Sequence, residues 1–146
     1  MHDRSSEFFI IDILISIDRV QRYLKKFKTP DLFVASEEFY DAAVRELEII
    51  GEAMKYVLAD KNFSELTQAK WRKVVDFRNI LAHEYFGLDP DLIIYILYEH
   101  FPLFETEILH FVEQVKDKEI FFEAIYEAKK DLKVLHRKES LLYLTK

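Results

Sequence analysis

The sequence predicts an all-α protein, a bundle of helices packed around one core within a single domain. The chain has 146 residues, half of them hydrophobic, which is enough for a core that folds alone. It contains only two Gly and three Pro, too few for the many tight turns of an all-β protein. Apolar residues recur at three-and-four spacing over long stretches, which is typical of amphipathic helices. We therefore expect one domain over residues 1–146, an up-and-down bundle of four to five helices with mostly short connections.

The first predicted helix begins near Ser5 or Ser6, both of which are suitable N-cap residues. Phe8, Ile11 and Ile15 lie outside its main apolar stripe, so the helix is apolar on a second side. A second covering surface, such as another subunit, is expected there. The main stripe consists of Ile10, Ile13, Leu14, Ile17, Val20 and Leu24.

The second predicted helix runs from about Ser36 to about Asp60, after a break in the chain at residues 28–32, KTPDL. Gly51 lies inside this helix, where it costs about 1 kcal/mol relative to Ala. The usual compensation is the close approach of a neighbouring backbone, which we expect at this position. The apolar seam of the helix consists of Phe39, Ala43, Leu47, Ile50, Met54 and Val57.

A charged stripe also runs along the second helix, because Arg45, Glu48 and Glu52 recur at helical spacing. Spacing alone favours ordinary intrahelical ion pairs, each worth roughly 0.2–0.5 kcal/mol. We assign no catalytic step to these residues from the sequence.

The third predicted helix runs from about Ser64 or Thr67 to His83. It contains a basic segment, although the protein as a whole is acidic. The net charge of −6 argues against a general nucleic-acid-coating protein, which needs clustered Lys and Arg. Residues 70–78 nevertheless hold four basic residues against one acidic residue. A solvated helix face is the ordinary interpretation, and contact with RNA is the alternative for three of the four. Those three are Lys70, Arg72 and Lys73.

Two further helices complete the predicted bundle. Asp89 and Pro90 are typical of an N-cap followed by the first residue of a helix, which we extend to about Val115. Pro102 has no amide hydrogen to donate, so it is expected to kink this fourth helix. A fifth amphipathic helix is expected over about residues 118–144.

The absence of cysteine excludes a disulfide framework, a thiolate nucleophile and a zinc–thiolate site. It fits a reducing cytosol. The N-terminal region lacks a signal-peptide layout, because Asp12 and Asp18 interrupt its apolar residues. No apolar run approaches the length of a membrane span. We therefore expect a cytoplasmic protein with no membrane association.

The stretch RNILAHEY, residues 78–85, contains the side chains of the third helix that could bind a ligand or take part in catalysis. At about 100° per residue, Arg78 and His83 point roughly 140° apart on a regular helix. Tyr85 would lie on the same side of the helix as Arg78, and Asn79 would lie one turn before His83 on the side of His83. Arg78 and His83 therefore converge on one ligand atom only if the helix loosens, the ligand is large, or two chains build the site together. We favour two chains, with some contribution from a loosened helix.

The residue types of the motif suit metal-free chemistry on a phosphodiester. The sequence has no H-E-x-x-H zinc motif, nucleophile elbow or phosphate-cradling glycine loop. Arg78 offers a fork of donors to phosphate oxygens, and His83 exchanges a proton near neutral pH. The ordinary alternative is a helix end at which His83 complements the helix dipole and Arg78 pairs with Asp76 or Glu84.

RNILAHEY resembles the R-x(4)-H-x-Y signature of HEPN-domain toxins of the HepT type. AAVRELEIIGEAMKYV, residues 42–57, resembles the second-helix signature of that family. The block from Trp71 to Phe86, W-x(6)-RN-x-LAHEYF, resembles its central region. With the N-terminal IDILISIDRVQRYL, the likeness covers most of residues 8–115, and the predicted helix from about residue 118 lies outside it.

The resemblance implies a HEPN-type bundle, a homodimer with the motif at the dimer cleft, and ribonuclease activity without a metal or other cofactor. Arg78 and His83 would be the catalytic pair, and Asn79 would be a polar supporter in the cleft. Tyr85 matches the tyrosine that a cognate MntA-type nucleotidyltransferase antitoxin adenylylates in a type VII-like toxin–antitoxin pair. The RNA would by resemblance be tRNA. The likeness also suggests that the charged stripe of the second helix faces the cleft.

Two other functions stay open at this point. One is a non-catalytic helical adaptor or substrate-binding subunit of a nucleotidyltransferase, which would account for the acidic net charge. The other is nucleotide binding without catalysis, which fits Arg78 and Tyr85 on one side of the helix.

Overall fold

The all-α prediction is confirmed by the computed structural model of the protein, which describes residues 6–84, 87–115 and 118–131. Those ranges contain seven α-helices and no strand. None of the described helices has the length and apolar content needed to cross a membrane. The helices are α1 (Ser6–Leu24), α2 (Pro30–Ala35), α3 (Glu37–Ala59), α4 (Arg72–Glu84), α5 (Pro90–Tyr95), α6 (Phe101–Gln114) and α7 (Lys118–Asp131).

Helix α1 lies at the centre of the core, because α3, α6 and α7 all pack against it. Its second apolar side is confirmed, since Ile11 and Ile15 are as deeply buried as the main stripe. The covering surface is not another subunit, as we had considered. Helices of the same chain supply it, so the apolar residues of α1 are already covered within one protomer.

The segment expected to be a break between the first two helices contains the short helix α2. Thr29 is its N-cap, with the side-chain oxygen accepting from the amide of Leu32 at 3.3 Å, and Pro30 is its first residue. Phe33 anchors α2 in the core, with its ring 5.9 Å from that of Phe27. Ser36 then ends α2 and immediately precedes α3, as predicted for the start of that helix. The break after the first helix is present at residues 25–29, but the short helix that the Thr-Pro pair starts was not predicted.

The third predicted helix is confirmed as α4 but begins later than expected. Two 3₁₀ turns, Lys61–Phe63 and Ala69–Trp71, occupy the first part of the predicted range. The carboxylate of Asp60 accepts from the amide of Asn62 at 2.8 Å and starts the first of these turns. The buried Trp71 ends the second turn and leads directly into α4.

The fourth predicted helix is present but interrupted. Asp89 caps it as expected, accepting from the amide of Asp91 at 2.9 Å. A π-helical turn, Ile96–His100, separates α5 from α6 just before Pro102. Pro102 has no amide hydrogen for the carbonyl four residues earlier, and the turn before it is closed by a wider hydrogen bond, from the amide of Phe101 to the carbonyl of Ile96 five residues earlier. The fifth predicted helix begins at residue 118 as expected, and its predicted end at residue 144 lies outside the described residues.

Candidate active site

At Gly51, α3 packs closely against the part of α4 that carries Arg78. A Cβ atom at this position would collide with Cβ of Arg78, and it would lie 2.9 Å from Cγ of Arg78 and 3.0 Å from the carbonyl oxygen of Val74. The expected close approach of a neighbouring backbone at Gly51 is therefore confirmed. The aliphatic stem of Arg78 fills the space that a side chain at Gly51 would need.

The guanidinium of Arg78 reaches across Gly51 to the next residue of α3. Its Nε atom lies 3.5 Å from the Glu52 carboxylate, which also pairs with Lys55 at 3.2 Å. Its Nη1 atom donates to the side-chain oxygen of Asn79 at 3.3 Å. The alternative interpretation expected Arg78 to pair within its own helix, whereas the ion pair that the structure describes is with a neighbouring helix. The side chain of Arg78 remains 35% exposed, so a ligand can reach it.

His83 lies in the last turn of α4 and is exposed to solvent. The helix stays α-helical to Glu84, so it does not loosen before His83 as one of our explanations required. Arg78 and His83 therefore start from directions roughly 140° apart on one regular helix. A large ligand and a site shared by two chains remain as explanations. Tyr85, the predicted modification site, lies outside the described residues.

The basic run does not form one patch around Arg78. Lys70 forms an ion pair with Glu107 of α6, and Lys73 borders a groove between α4 and α6 with a volume of about 560 Å³. Arg78 instead reaches α3. Arg72 lies eleven positions before His83, which places both on the same exposed face of α4, roughly 16 Å apart along the helix.

The charged stripe of α3 contributes one residue to the candidate site. Arg45 is exposed and Glu48 is half-buried, whereas Glu52 contacts Arg78 directly. We had expected ordinary intrahelical pairs within the stripe, whereas the intrahelical pair that the structure describes joins Glu52 to Lys55, which was not part of that prediction. The contact with Arg78 was not predicted. Its only signal in the sequence is that Glu52 follows Gly51, the position that marks a close approach.

Among the described residues, no group of three or more His, Asp or Glu side chains is arranged to hold a metal ion. The site offers a partly exposed guanidinium, an amide that contacts it and an exposed imidazole. Such a set can bind a phosphate and transfer protons.

Comparison with known proteins identifies a family and several relatives. Residues 13–114 match the family described as "Ribonuclease HepT-like". "Putative RNase MJ1380" of Methanocaldococcus jannaschii is 35% identical over 109 residues, covering 74% of this chain and 97% of the relative. "Probable ribonuclease HepT" of Thermococcus cleftensis is 33% identical over 87 residues, covering 59% of this chain and 76% of the relative.

A third relative is longer than this chain. "Gamma-glutamylcyclotransferase and putative RNase MJ0434" of Methanocaldococcus jannaschii is 32% identical over 109 residues, which cover 75% of this chain. The matched region spans about half, 48%, of that relative. No solved structure matches the chain.

Proposed function

Because the chain belongs to the HepT-like ribonuclease family, we propose that it is a metal-independent ribonuclease toxin with Arg78 and His83 as its catalytic pair. The family match over residues 13–114 includes the whole RNILAHEY motif. The observation that carries the proposal is that one helix offers solvent a half-exposed guanidinium and an exposed imidazole. In phosphodiester cleavage without a metal, an imidazole can exchange protons and a guanidinium can stabilise the developing charge.

The proposed reaction uses the 2′-hydroxyl of RNA as the nucleophile on its own phosphodiester. An imidazole takes the proton of that hydroxyl while its oxygen attacks phosphorus. The bond from phosphorus to the 5′ oxygen breaks, and an imidazolium gives that oxygen a proton. Arg78 binds the non-bridging oxygens and stabilises their developing charge. The products are a 2′,3′-cyclic phosphate and a 5′-hydroxyl end.

The proposal includes a homodimer in which both copies contribute to one cleft. The base and the acid stand on opposite sides of phosphorus, and one His83 cannot occupy both positions. The divergence of Arg78 and His83 on a regular α4 supports the same assembly, because a second copy can supply the missing group. Two-fold dimers are the commonest oligomers, and their symmetry presents each residue twice. Ile80, 43% exposed between the two catalytic positions, is an apolar residue that such an interface would cover.

Regulation and substrate follow from the family in this proposal. A cognate MntA-type nucleotidyltransferase would adenylylate Tyr85, adding bulk and negative charge near the phosphate site and so opposing RNA binding. The RNA would be tRNA, and Arg72, on the face of His83, is the best placed of the basic residues to contact its backbone. Lys70 and Lys73 line the α4–α6 groove and would contact only RNA that reaches this groove.

Cleavage of labelled RNA by purified variants tests this function. His83→Ala and Arg78→Ala should each reduce cleavage by about 10²–10⁴-fold, because each removes a group that acts on the transition state. His110→Ala, which removes an exposed imidazole from α6, is the matched control and should cleave like the wild type. EDTA should have no effect, and the product should carry a cyclic phosphate.

Growth and mass measurements on the same variants separate the toxin from an adaptor. Expression of the wild-type chain alone should arrest cells, and His83→Ala should not. Co-expression with the nucleotidyltransferase should add AMP-sized mass increments that Tyr85→Phe abolishes. Cleavage that persists in both catalytic variants would rule the proposal out and favour a non-catalytic adaptor.

A further inference from the structure

We propose that Glu52 is a positioning residue, which holds the guanidinium of Arg78 in the orientation that receives a phosphate. This inference rests on the proposed function and adds a residue to that site. It starts from the ion pair between Glu52 and Arg78, which joins α3 to the helix carrying the motif.

The guanidinium is held at two of its edges. Glu52 contacts it at Nε, and Asn79 accepts a hydrogen bond from Nη1. A guanidinium is planar and has five N–H donors, so two contacts on different nitrogens fix the orientation of its plane. Neither contact uses Nη2, so the N–H groups of that nitrogen remain for a phosphate. A phosphate can take these donors without breaking either contact.

The stem of Arg78 is held as well as its head. Its Cβ and Cγ atoms lie over Gly51, in the space a side chain would fill, so α3 fixes the start of the side chain. Glu52 is the next residue along the chain, and its carboxylate contacts the guanidinium at the end of the Arg78 side chain. An unrestrained arginine loses much rotamer freedom when it binds a ligand, and fixing both ends beforehand reduces that loss. Gly51 and Glu52 together therefore form a cradle for one catalytic side chain.

The exposure of the ion pair favours positioning over stabilisation of the fold. The side chains of Arg78 and Glu52 are 35% and 41% exposed, and pairs in such surroundings contribute little to folding. The carboxylate also has a cost for binding, because its negative charge lies beside the place where phosphate would bind. Lys55, 3.2 Å from the same carboxylate, offsets part of that charge. Removing the charge of Glu52 should therefore weaken catalysis without weakening RNA binding.

Steady-state cleavage by Glu52→Gln tests this separation. We expect kcat to fall about 10-fold, since a misplaced catalytic group costs one to two orders of magnitude, while KM stays the same or decreases. Glu52→Asp keeps the charge but is shorter by one methylene, and it should also lose kcat. Glu48→Gln is the matched control, one turn earlier on α3, and should stay within twofold of the wild type. Among the described residues, Glu48 forms no ion pair with Arg78.

A measurement independent of cleavage follows the ion pair itself. In ¹⁵N-labelled protein, the Nε–H signal of Arg78, assigned by its loss in Arg78→Lys, should exchange slowly with water. It should broaden or vanish in Glu52→Gln and persist in Glu48→Gln. Retention of the signal in both variants would show that Glu52 does not hold the guanidinium.

The kinetic outcomes separate this inference from the proposed function. A wild-type protein that does not cleave RNA removes the function, and a wild-type protein that cleaves while Glu52→Gln keeps its kcat removes the positioning role alone. An increase in KM at constant kcat, or an equal loss of kcat in Glu48→Gln, would also overturn it.

Discussion

Helix α3 presents two glutamates to two neighbouring helices, and the two lie in opposite surroundings. Glu46 faces α1, where it accepts a hydrogen bond from the Ser16 hydroxyl at 2.9 Å and lies 3.7 Å from Arg19. Its side chain is only 4% exposed. Glu52 faces α4, where its side chain is 41% exposed and pairs with Arg78. The same pair of residue types therefore occurs once in the interior and once at the candidate site.

The difference in burial separates a structural pair from one that a ligand can use. A buried carboxylate loses its hydration, so it needs a complete set of partners, and Glu46 has a hydroxyl and a guanidinium. Arg19 is itself fixed, because its Nε donates to the Tyr23 hydroxyl at 2.9 Å. The pair at the candidate site keeps water, and its arginine can accept a phosphate. Helix α3 therefore has one glutamate paired in the core and another paired with Arg78 at the solvent-exposed candidate site.

Removing the buried carboxylate should have the largest effect on stability. Glu46→Ala leaves the charge of Arg19 and the hydroxyl of Ser16 without their partner, and we expect the free energy of unfolding to fall by about 3 kcal/mol. Urea denaturation monitored by circular dichroism measures the change. The kcat of the folded fraction should be unchanged, since the partners described for Glu46 lie on α1 and not on α4.

Glu48→Ala is the control for this prediction, because it removes a half-buried carboxylate from the same helix. It should change stability by less than about 0.5 kcal/mol. A loss at Glu46 no larger than the loss at Glu48 would show that burial does not distinguish the two surroundings.

The sequence indicated the surroundings of Gly51 but could not distinguish Glu46 from Glu52. Glycine inside a helix has one common explanation, a close approach, and this expectation was correct. Both glutamates belong to the stretch RELEIIGE, and their partners Arg19 and Arg78 lie on other helices. Helical spacing reports contacts within one helix, so contacts between helices require the packing itself.

Helix boundaries that depend on local residues were easier to predict than those that depend on packing between helices. The side-chain cap at Asp89 was predicted correctly, whereas the equally local cap at Thr29 was missed. The late start of α4 depends on the burial of Trp71, whose indole donates to Glu107 of α6 at 3.3 Å. The π-helical turn before Pro102 was expected only as a kink, because its form depends on how α5 and α6 pack.

Gly51→Ala tests how closely α3 packs against α4 at the candidate site. We expect its effect on stability to be smaller than that of Glu46→Ala. The new methyl group would collide with the stem of Arg78, which costs about 1–3 kcal/mol, while better helix propensity returns about 1 kcal/mol. The difference is a net loss of up to about 2 kcal/mol in the free energy of unfolding, and the collision with Cβ of Arg78 favours the upper part of that range. Cleavage should also decrease, because Arg78 must move away from Glu52.

Gly87→Ala is the matched control for this substitution. A Cβ at Gly87 would meet no atom within 4 Å, and the residue does not have a positive φ. The substitution should therefore be neutral or stabilise the protein by about 0.5 kcal/mol through the unfolded chain. If Gly51→Ala changed stability and cleavage no more than Gly87→Ala does, the close approach of α3 and α4 would be contradicted.

The smallest effect is expected from the exposed pair. A double-mutant cycle on Arg78 and Glu52, with alanine at each, should give a coupling energy of about 0.2–0.5 kcal/mol in low salt, because water and side-chain freedom oppose an exposed ion pair. Raising the salt to 0.5 M should remove most of it. The cycle on Arg19 and Glu46 should exceed about 1 kcal/mol and respond less to salt, since buried pairs are screened less. Equal couplings would mean that Arg78 is committed to the fold, and a guanidinium committed to the fold is not available to a phosphate.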